Sequence, residues 1–174
     1  LLRRVPHGKA RGVVLGRDAR RFSDVFMDEA AAVLNALGIS VWAFVQPIPT
    51  PLVAFAVRHL KAAAGVVITA SHNPPEYNGY KVYGGAGSQI VPPVDSDIAG
   101  RMARAPAAKD IPTLSQHAAR EQGLFQEVGP SLLEAYFEGA LRCLPYGKRS
   151  TQRWVYTPMH GVGGEVLKAA VERA

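Results

Sequence analysis

The chain has 174 residues, of which 48% are hydrophobic and 20% charged, a balance that supports a folded core and excludes intrinsic disorder. No run of about 18 apolar residues occurs, which excludes an apolar membrane-spanning helix, and the single cysteine, Cys143, excludes an internal disulfide framework or a multi-cysteine zinc site. The formal net charge is +6, but the cations are scattered, from Arg3 and Arg4 through Arg17, Arg20 and Arg21 to Lys148 and Arg149; this suits small anionic partners and argues against a nucleic-acid surface.

The lone cysteine fits a reducing compartment, so a cytoplasmic setting is expected. Arg3 and Arg4 are not followed by a long apolar stretch, so no secretory signal is read there. The first residue is Leu1 rather than methionine, and residues upstream of it are therefore expected. The sequence carries no signal of oligomeric state.

Residues 12–16 (GVVLG) predict a short buried strand. A polar turn follows, and Ser23 reads as the N-cap of a helix with Asp24 and Asp28 near its start. Phe26, Ala30, Val33, Leu34 and Leu37 keep helical spacing, and Gly38 suits the residue just past the end. Residues 39–45 predict a second strand. Pro47, Pro49 and Pro51 stiffen the next connection, with Thr50 as a cap and Pro51 opening a helix striped by Leu52, Phe55, Ala56 and Leu60.

Residues 64–70 (AGVVITA) are apolar on both faces, as a central parallel strand requires. The order strand–helix–strand–helix–strand is that of an α/β sheet. Residues 80–83 and 88–91 flank a glycine-rich turn and predict a hairpin. A helix is predicted over 94–104, a loose stretch over 105–115, a helix over 131–144 and a linker over 145–150. A new strand over 153–157 and a helix over 163–173 close the chain.

The segment with chemical potential is TASHNPPEYNGYK, residues 69–81, which begins where an apolar strand ends. In open α/β sheets ligands bind beyond the carboxyl ends of strands. Ser71 offers a hydroxyl, His72 stands beside it, and the turn at Asn78 and Gly79 brings Lys81 back toward the loop. A serine needs a base or a charge-stabilising site to act as a nucleophile, and a lysine can supply the base. From the residues alone the segment reads either as a phosphoryl- or acyl-transfer site at Ser71 or as an Asx-type turn. It lacks the flanking glycines of a nucleophile elbow, which disfavours an α/β-hydrolase.

Four ordered motifs carry a resemblance: GRDAR at 16–20, PIPTP at 47–51, TASHNPPEYNGYKVY at 69–83 and TPMHGVGG at 157–164. Together they resemble the α-D-phosphohexomutases, the phosphoglucomutase and phosphomannomutase enzymes. The resemblance implies a mixed, mainly parallel sheet sandwiched by helices. Residues 1–149 would form a first domain with the phosphoserine loop, and residues 150–174 the truncated start of a second, similar one. It also implies that Ser71 carries a phosphoryl group, passes it to a phosphosugar and recovers the other phosphoryl group from the bisphosphorylated intermediate, so that sugar 1-phosphate and 6-phosphate interconvert. Lys81 matches the general acid/base lysine, His72 the histidine beside the phosphoserine, and Asn73 a loop support. Mg²⁺ would bind through the phosphate on Ser71, and glucose 1,6-bisphosphate would act as activator. Arg17 and Arg20 would lie close to the loop, where Arg20 either contacts phosphate or locks the turn through Asp18.

The departures are as informative. The family's glycine-rich N-terminal motif, aspartate-rich metal loop, sugar-recognition loop and phosphate-clamping loop are absent from these residues, so turnover is expected of a longer parent protein and not of this chain alone. Tyr77 stands where phosphoglucosamine mutases carry aspartate, and PPEYNGYKVYG most resembles the branch with phosphoglucomutase and phosphopentomutase enzymes; with the sugar loop absent, glucose phosphate ranks first, mannose phosphate second and pentose phosphate third. A non-catalytic phosphosugar-binding module and a purely structural domain are the readings from other classes. His7, His59 and His117 have no metal-ligand spacing and read as surface or helix residues. His160 reads as a helix cap, Gly161, Gly163 and Gly164 as strand–helix packing, and Cys143 as a packing residue.

Overall fold

The computed structural model describes residues 1–144 and 153–174. A 3-10 turn at Leu2–Arg4 and helix α1 (Gly8–Arg11) lead into strand β1 (Val13–Arg17). Then come α2 (Ser23–Ala36), β2 (Val41–Ala43), α3 (Thr50–His59), β3 (Ala64–Ile68) and β4 (Tyr80–Gly84). After these stand α4 (Val94–Met102), a 3-10 turn at Ala108–Asp110, α5 (Gln116–Glu121), β5 (Phe125–Glu127), α6 (Pro130–Leu141) and α7 (Gly164–Arg173).

The strands form one sheet in the order β4-β3-β1-β2-β5. Only β4 is antiparallel to its neighbour; the other pairs are parallel. This is the mixed, mainly parallel sheet that the motifs implied.

Alternation along β1 builds two cores, one on each face of the sheet. Val13 and Leu15 join Met27 and Ala31 of α2, together with Val66, Ile68 and Phe125. Val14 joins Leu52, Val53, Ala56 and Val57 of α3, together with Val67 and Leu132. Burial on both faces is why β1 and β3 read as unbroken apolar runs. On the α3 face the helix sits close to the sheet: a Cβ on Gly16 would lie 2.6 Å from Val53 Cγ2, and one on Gly65 2.5 Å from Val57 Cγ2. Gly65→Ala should therefore lower the unfolding free energy by about 1–3 kcal/mol through overpacking, read by urea denaturation. A change within about 0.5 kcal/mol, the range of an ordinary surface substitution, would contradict that close seating.

Several local expectations are corrected. Ser23 does not cap α2. It is the helix's first residue and is buried, and its hydroxyl lies 2.8 Å from the Asp18 carbonyl and 2.9 Å from the Arg20 carbonyl; Phe22 stands at the cap with φ 62°. Thr50 is likewise already helical, Pro49 stands before it, and no side chain caps α3. The second hairpin arm forms a single bridge, Tyr83 to Gln89, rather than a strand. Gly87 turns the chain with φ 77°.

Residues 153–157 form no strand, because a lone extended segment needs sheet neighbours; Trp154 is 81% exposed. With no strand there, the expected strand–helix packing of Gly161, Gly163 and Gly164 is absent too. Gly164 instead fits against Pro158, where a Cβ would approach Cγ to 3.3 Å. No side chain caps α7, so His160 does not serve as its cap. Cys143 lies exposed beyond the end of α6 instead of packing. The predicted helix at 163–173 does form, as α7, and Arg173 docks it on α6: the guanidinium is 2.8 Å from Glu134 Oε1 and lies over the Phe137 ring. The predicted linker at 145–150 and the domain boundary at 149/150 lie outside the described residues.

Candidate active site

Strands β2 and β3 flank β1 on opposite sides, so the chain winds one way from β1 to β2 and back across to β3. Right-handed crossovers then place α2 and α3 on opposite faces, which opens a crevice beyond the carboxyl ends of β1 and β3. The GRDAR turn leaves β1 there, and the 69–79 loop leaves β3 beside it. The Asp18 amide donates to the Ile68 carbonyl (3.1 Å) and extends the β1–β3 ladder to the edge of the crevice.

The GRDAR turn is held by its own carboxylate. Asp18 Oδ1 accepts from the Arg20 amide and Oδ2 from Arg20 Nε, each at 3.1 Å. The two side chains are only 19% and 11% exposed, which limits competition from water. The remaining guanidinium N–H groups all point at the neighbouring loop. Nη1 donates to the carbonyls of Pro74 (2.6 Å) and Tyr77 (3.1 Å), and Nη2 to those of Ser71 (2.7 Å) and Asn73 (2.8 Å). A guanidinium has five N–H donors, and each of them has an acceptor here. None is left for a phosphate oxygen, which accords with the turn-locking alternative for Arg20.

The loop closes on itself at its base. The Thr69 amide donates to the Gly79 carbonyl at 3.0 Å. The two segments come so close that a Cβ on Gly79 would lie 2.8 Å from the Thr69 carbonyl oxygen. Thr69, itself buried, turns its hydroxyl oxygen to the Ser71 amide at 3.0 Å. Ser71 adopts φ 57°, a left-handed conformation uncommon for a residue with a Cβ. Its side chain is exposed, and its Oγ lies 3.4 Å from His72 Nδ1, a long contact.

The other expected residues fall in different places. Asn73 supports the loop through its backbone: its amide donates to Ala70 (3.0 Å) and its carbonyl accepts from Arg20. The side-chain brace is Asn78, whose Nδ2 donates to the Arg21 carbonyl at 2.8 Å; sequence reasoning saw only its turn-forming role. Lys81 stands on β4 opposite Val67, half-buried, with no hydrogen bond or ion pair among the described residues.

Arg17 makes no hydrogen bond to the loop among the described residues. Its Nη1 donates to the Asp18 carbonyl at 3.2 Å, and its buried Nε has no partner among the described residues. It bears instead on Asp28, whose carboxyl is raised above the ordinary aspartate value first by desolvation and then by Asp24; Arg17 acts in the opposite direction.

Mg²⁺ does not fit these residues by themselves. The ion demands an octahedral oxygen shell, yet both Asp18 oxygens are committed to Arg20. Among the described residues no three His, Cys, Asp or Glu side chains converge on a common point. Nor is any helix among them long and apolar enough to cross a membrane.

Comparison with known proteins agrees with this architecture. The family described as "Phosphoglucomutase/phosphomannomutase, alpha/beta/alpha domain I" matches residues 1–109. A probable phosphomannomutase of Haemophilus influenzae is 35% identical over 173 residues, 97% of this chain and 34% of its own length. A probable phosphoribomutase of Schizosaccharomyces pombe is 40% identical over 98% of this chain and 30% of its own. A solved structure described as a phosphomannomutase from Thermus thermophilus superposes with a TM-score of 0.64 at 34% identity, over 80% of this chain and 29% of that one. The chain belongs to the phosphoglucomutase/phosphomannomutase family, and it spans about a third of the length of the relatives it matches.

Proposed function

We propose that the chain is the phosphoserine-bearing part of a sugar-phosphate mutase, with residues 1–149 as its first domain and residues 150–174 as the opening of a second. The observation that carries this reading is Ser71, exposed in a left-handed conformation just beyond the carboxyl end of β3, its amide held by the Thr69 hydroxyl and its carbonyl by the Arg20 guanidinium. A strained residue that its surroundings hold in place at a sheet's switch point marks a functional site.

The reaction runs in two transfers. In the first, a sugar hydroxyl oxygen attacks the phosphorus on Ser71. The P–O bond to the sugar forms as the bond to Oγ breaks, and the hydroxyl proton passes through Lys81 to the departing Oγ. The bisphosphorylated sugar then reorients. In the second transfer Ser71 Oγ takes the other phosphoryl group, and its proton passes through Lys81 to the sugar oxygen being released. Lys81 is free for this exchange because no acid pairs with it among the described residues. The His72 ring, beside Oγ, donates to the phosphoryl oxygens, while Asn73 and Arg20 shape the loop. If Mg²⁺ takes part, a phosphoryl group on Ser71 would offer it an oxygen ligand, and the ion would supply charge neutralisation at the transferred group. Glucose 1,6-bisphosphate primes the serine, and a cytoplasmic setting accords with the lone cysteine.

Intact mass and peptide mapping of the full-length protein, purified without phosphatase, test the reading. A phosphoryl group on Ser71, present at isolation or acquired from glucose 1,6-bisphosphate, supports it. A serine unmodified after both replaces the mutase reading with that of a phosphosugar-binding module. Glucose phosphate is the first substrate to assay. Mannose and pentose phosphates belong beside it, because relatives named phosphomannomutase and phosphopentomutase both match.

A further inference from the structure

The loop at 71–77 has little hydrogen bonding of its own. The Asn73 amide reaches Ala70 and the Tyr77 amide reaches Pro74. Pro74 and Pro75 have no N–H to give. Its carbonyls are another matter: those of Ser71, Asn73, Pro74 and Tyr77 all turn inward onto one guanidinium, at 2.6–3.1 Å. Without Arg20 the carbonyls of Ser71, Asn73 and Tyr77 have no hydrogen-bond partner among the described residues, and that of Pro74 keeps only the Tyr77 amide. Asp18 aims the guanidinium by accepting from Nε and from the Arg20 amide.

Ser71 is thus pinned on both sides, its amide by the Thr69 hydroxyl and its carbonyl by Arg20 Nη2. Those two bonds bracket the φ and ψ angles that set the direction of the Cα–Cβ bond from which Oγ projects. We propose that Arg20 is a positioning residue for Ser71: the 71–77 loop is folded around its guanidinium, and Arg20 acts on phosphoryl transfer through the loop without touching substrate. This rests on the phosphoserine reading given above. Lysine cannot take its place, because an ammonium offers three donors at one point where the site uses five in a plane.

The test uses Arg20→Gln and Arg20→Lys in the full-length protein. Phosphoryl transfer from glucose 1,6-bisphosphate to Ser71 is timed by intact mass, well below the unfolding temperature, and hydrogen exchange of the backbone amides is followed in parallel. The expected result is transfer slowed about 100-fold in both variants, the scale of a misplaced reacting group. Amides of residues 71–79 should exchange faster while those of β1 and β3 keep their protection. A wild-type rate in Arg20→Gln overturns the proposal, because a merely structural residue lowers the melting point without changing the rate of the folded protein. Full rescue by Arg20→Lys also overturns it, by showing that charge alone suffices. Loss of protection throughout β1 and β3 in both variants overturns it as well, since Arg20 would then serve the fold and not the loop. If wild-type Ser71 accepts no phosphoryl group, the phosphoserine reading falls and carries this one with it.

Discussion

Ser71→Ala is expected to cut mutase turnover of the full-length protein by about 10⁴-fold or more, the scale on which losing a nucleophile removes covalent catalysis. The fold should survive, because Ser71 is exposed and, among the described residues, its Oγ makes only the 3.4 Å hydrogen-bond contact with His72. Two further substitutions separate the hydroxyl from the backbone. Ser71→Gly keeps the left-handed conformation at no steric cost and should be as inactive as alanine. Ser71→Thr keeps a hydroxyl, but a β-branched residue is a genuine outlier at positive φ. It should therefore lose most of its activity despite its chemistry. Turnover is measured with a coupled assay and phosphorylation by intact mass. If Ser71→Ala retained turnover within about tenfold of wild type, Ser71 would not be the phosphoryl carrier.

Most of the sheet could be read from the sequence because its strands are buried on both faces. Val13–Arg17 and Ala64–Ile68 are short apolar runs between turn residues, and α2 and α3 carry apolar positions at helical spacing. Strand β5 escaped notice because only Phe125 of its three residues is buried, leaving no period to detect. Its place is set by tertiary pairing along β2, where the Val41 amide reaches the Leu124 carbonyl at 2.7 Å. The run Trp154–Val155–Tyr156 erred the other way: its residues favour strands, but β propensity is realised only against neighbours.

The candidate site was legible as a set of residues after a strand, and less so in its contacts. Ser71, His72 and Lys81 were marked by residue type and by their position after a strand. The role of Arg20 was open, because both of its alternatives used the same local motif. What separates them is the reach of its side chain to carbonyls 51–57 residues away, and backbone carbonyls leave no trace in a sequence pattern. Arg17, the second residue of the same motif, reads the same way, yet it acts on the Asp28 carboxyl and makes no hydrogen bond to the loop among the described residues. The side chain of Asn78 was overlooked for a related reason. Asn-Gly announces a turn so strongly that a tertiary hydrogen bond from the same residue adds nothing to the local signal.

Lys81 allows proton transfer to be tested apart from charge. Lys81→Met should lower kcat by about 10²–10⁴-fold, the range over which a positioned acid/base acts. Its effect on stability should be small, because Lys81 is half-buried on β4 with no ion pair or hydrogen bond to lose among the described residues. Lys81→Arg keeps the positive charge that attracts a phosphosugar, but a guanidinium does not give up its proton in a protein. Arginine should therefore hold KM near the wild-type value while leaving kcat as low as in the methionine variant. Ser71 should stay phosphorylated in both, because the covalent bond to Oγ does not depend on Lys81 once formed. Recovery of kcat in Lys81→Arg would show that Lys81 contributes charge alone. Unchanged turnover in Lys81→Met would remove it from the chemistry and place the proton acceptor elsewhere in the full-length protein.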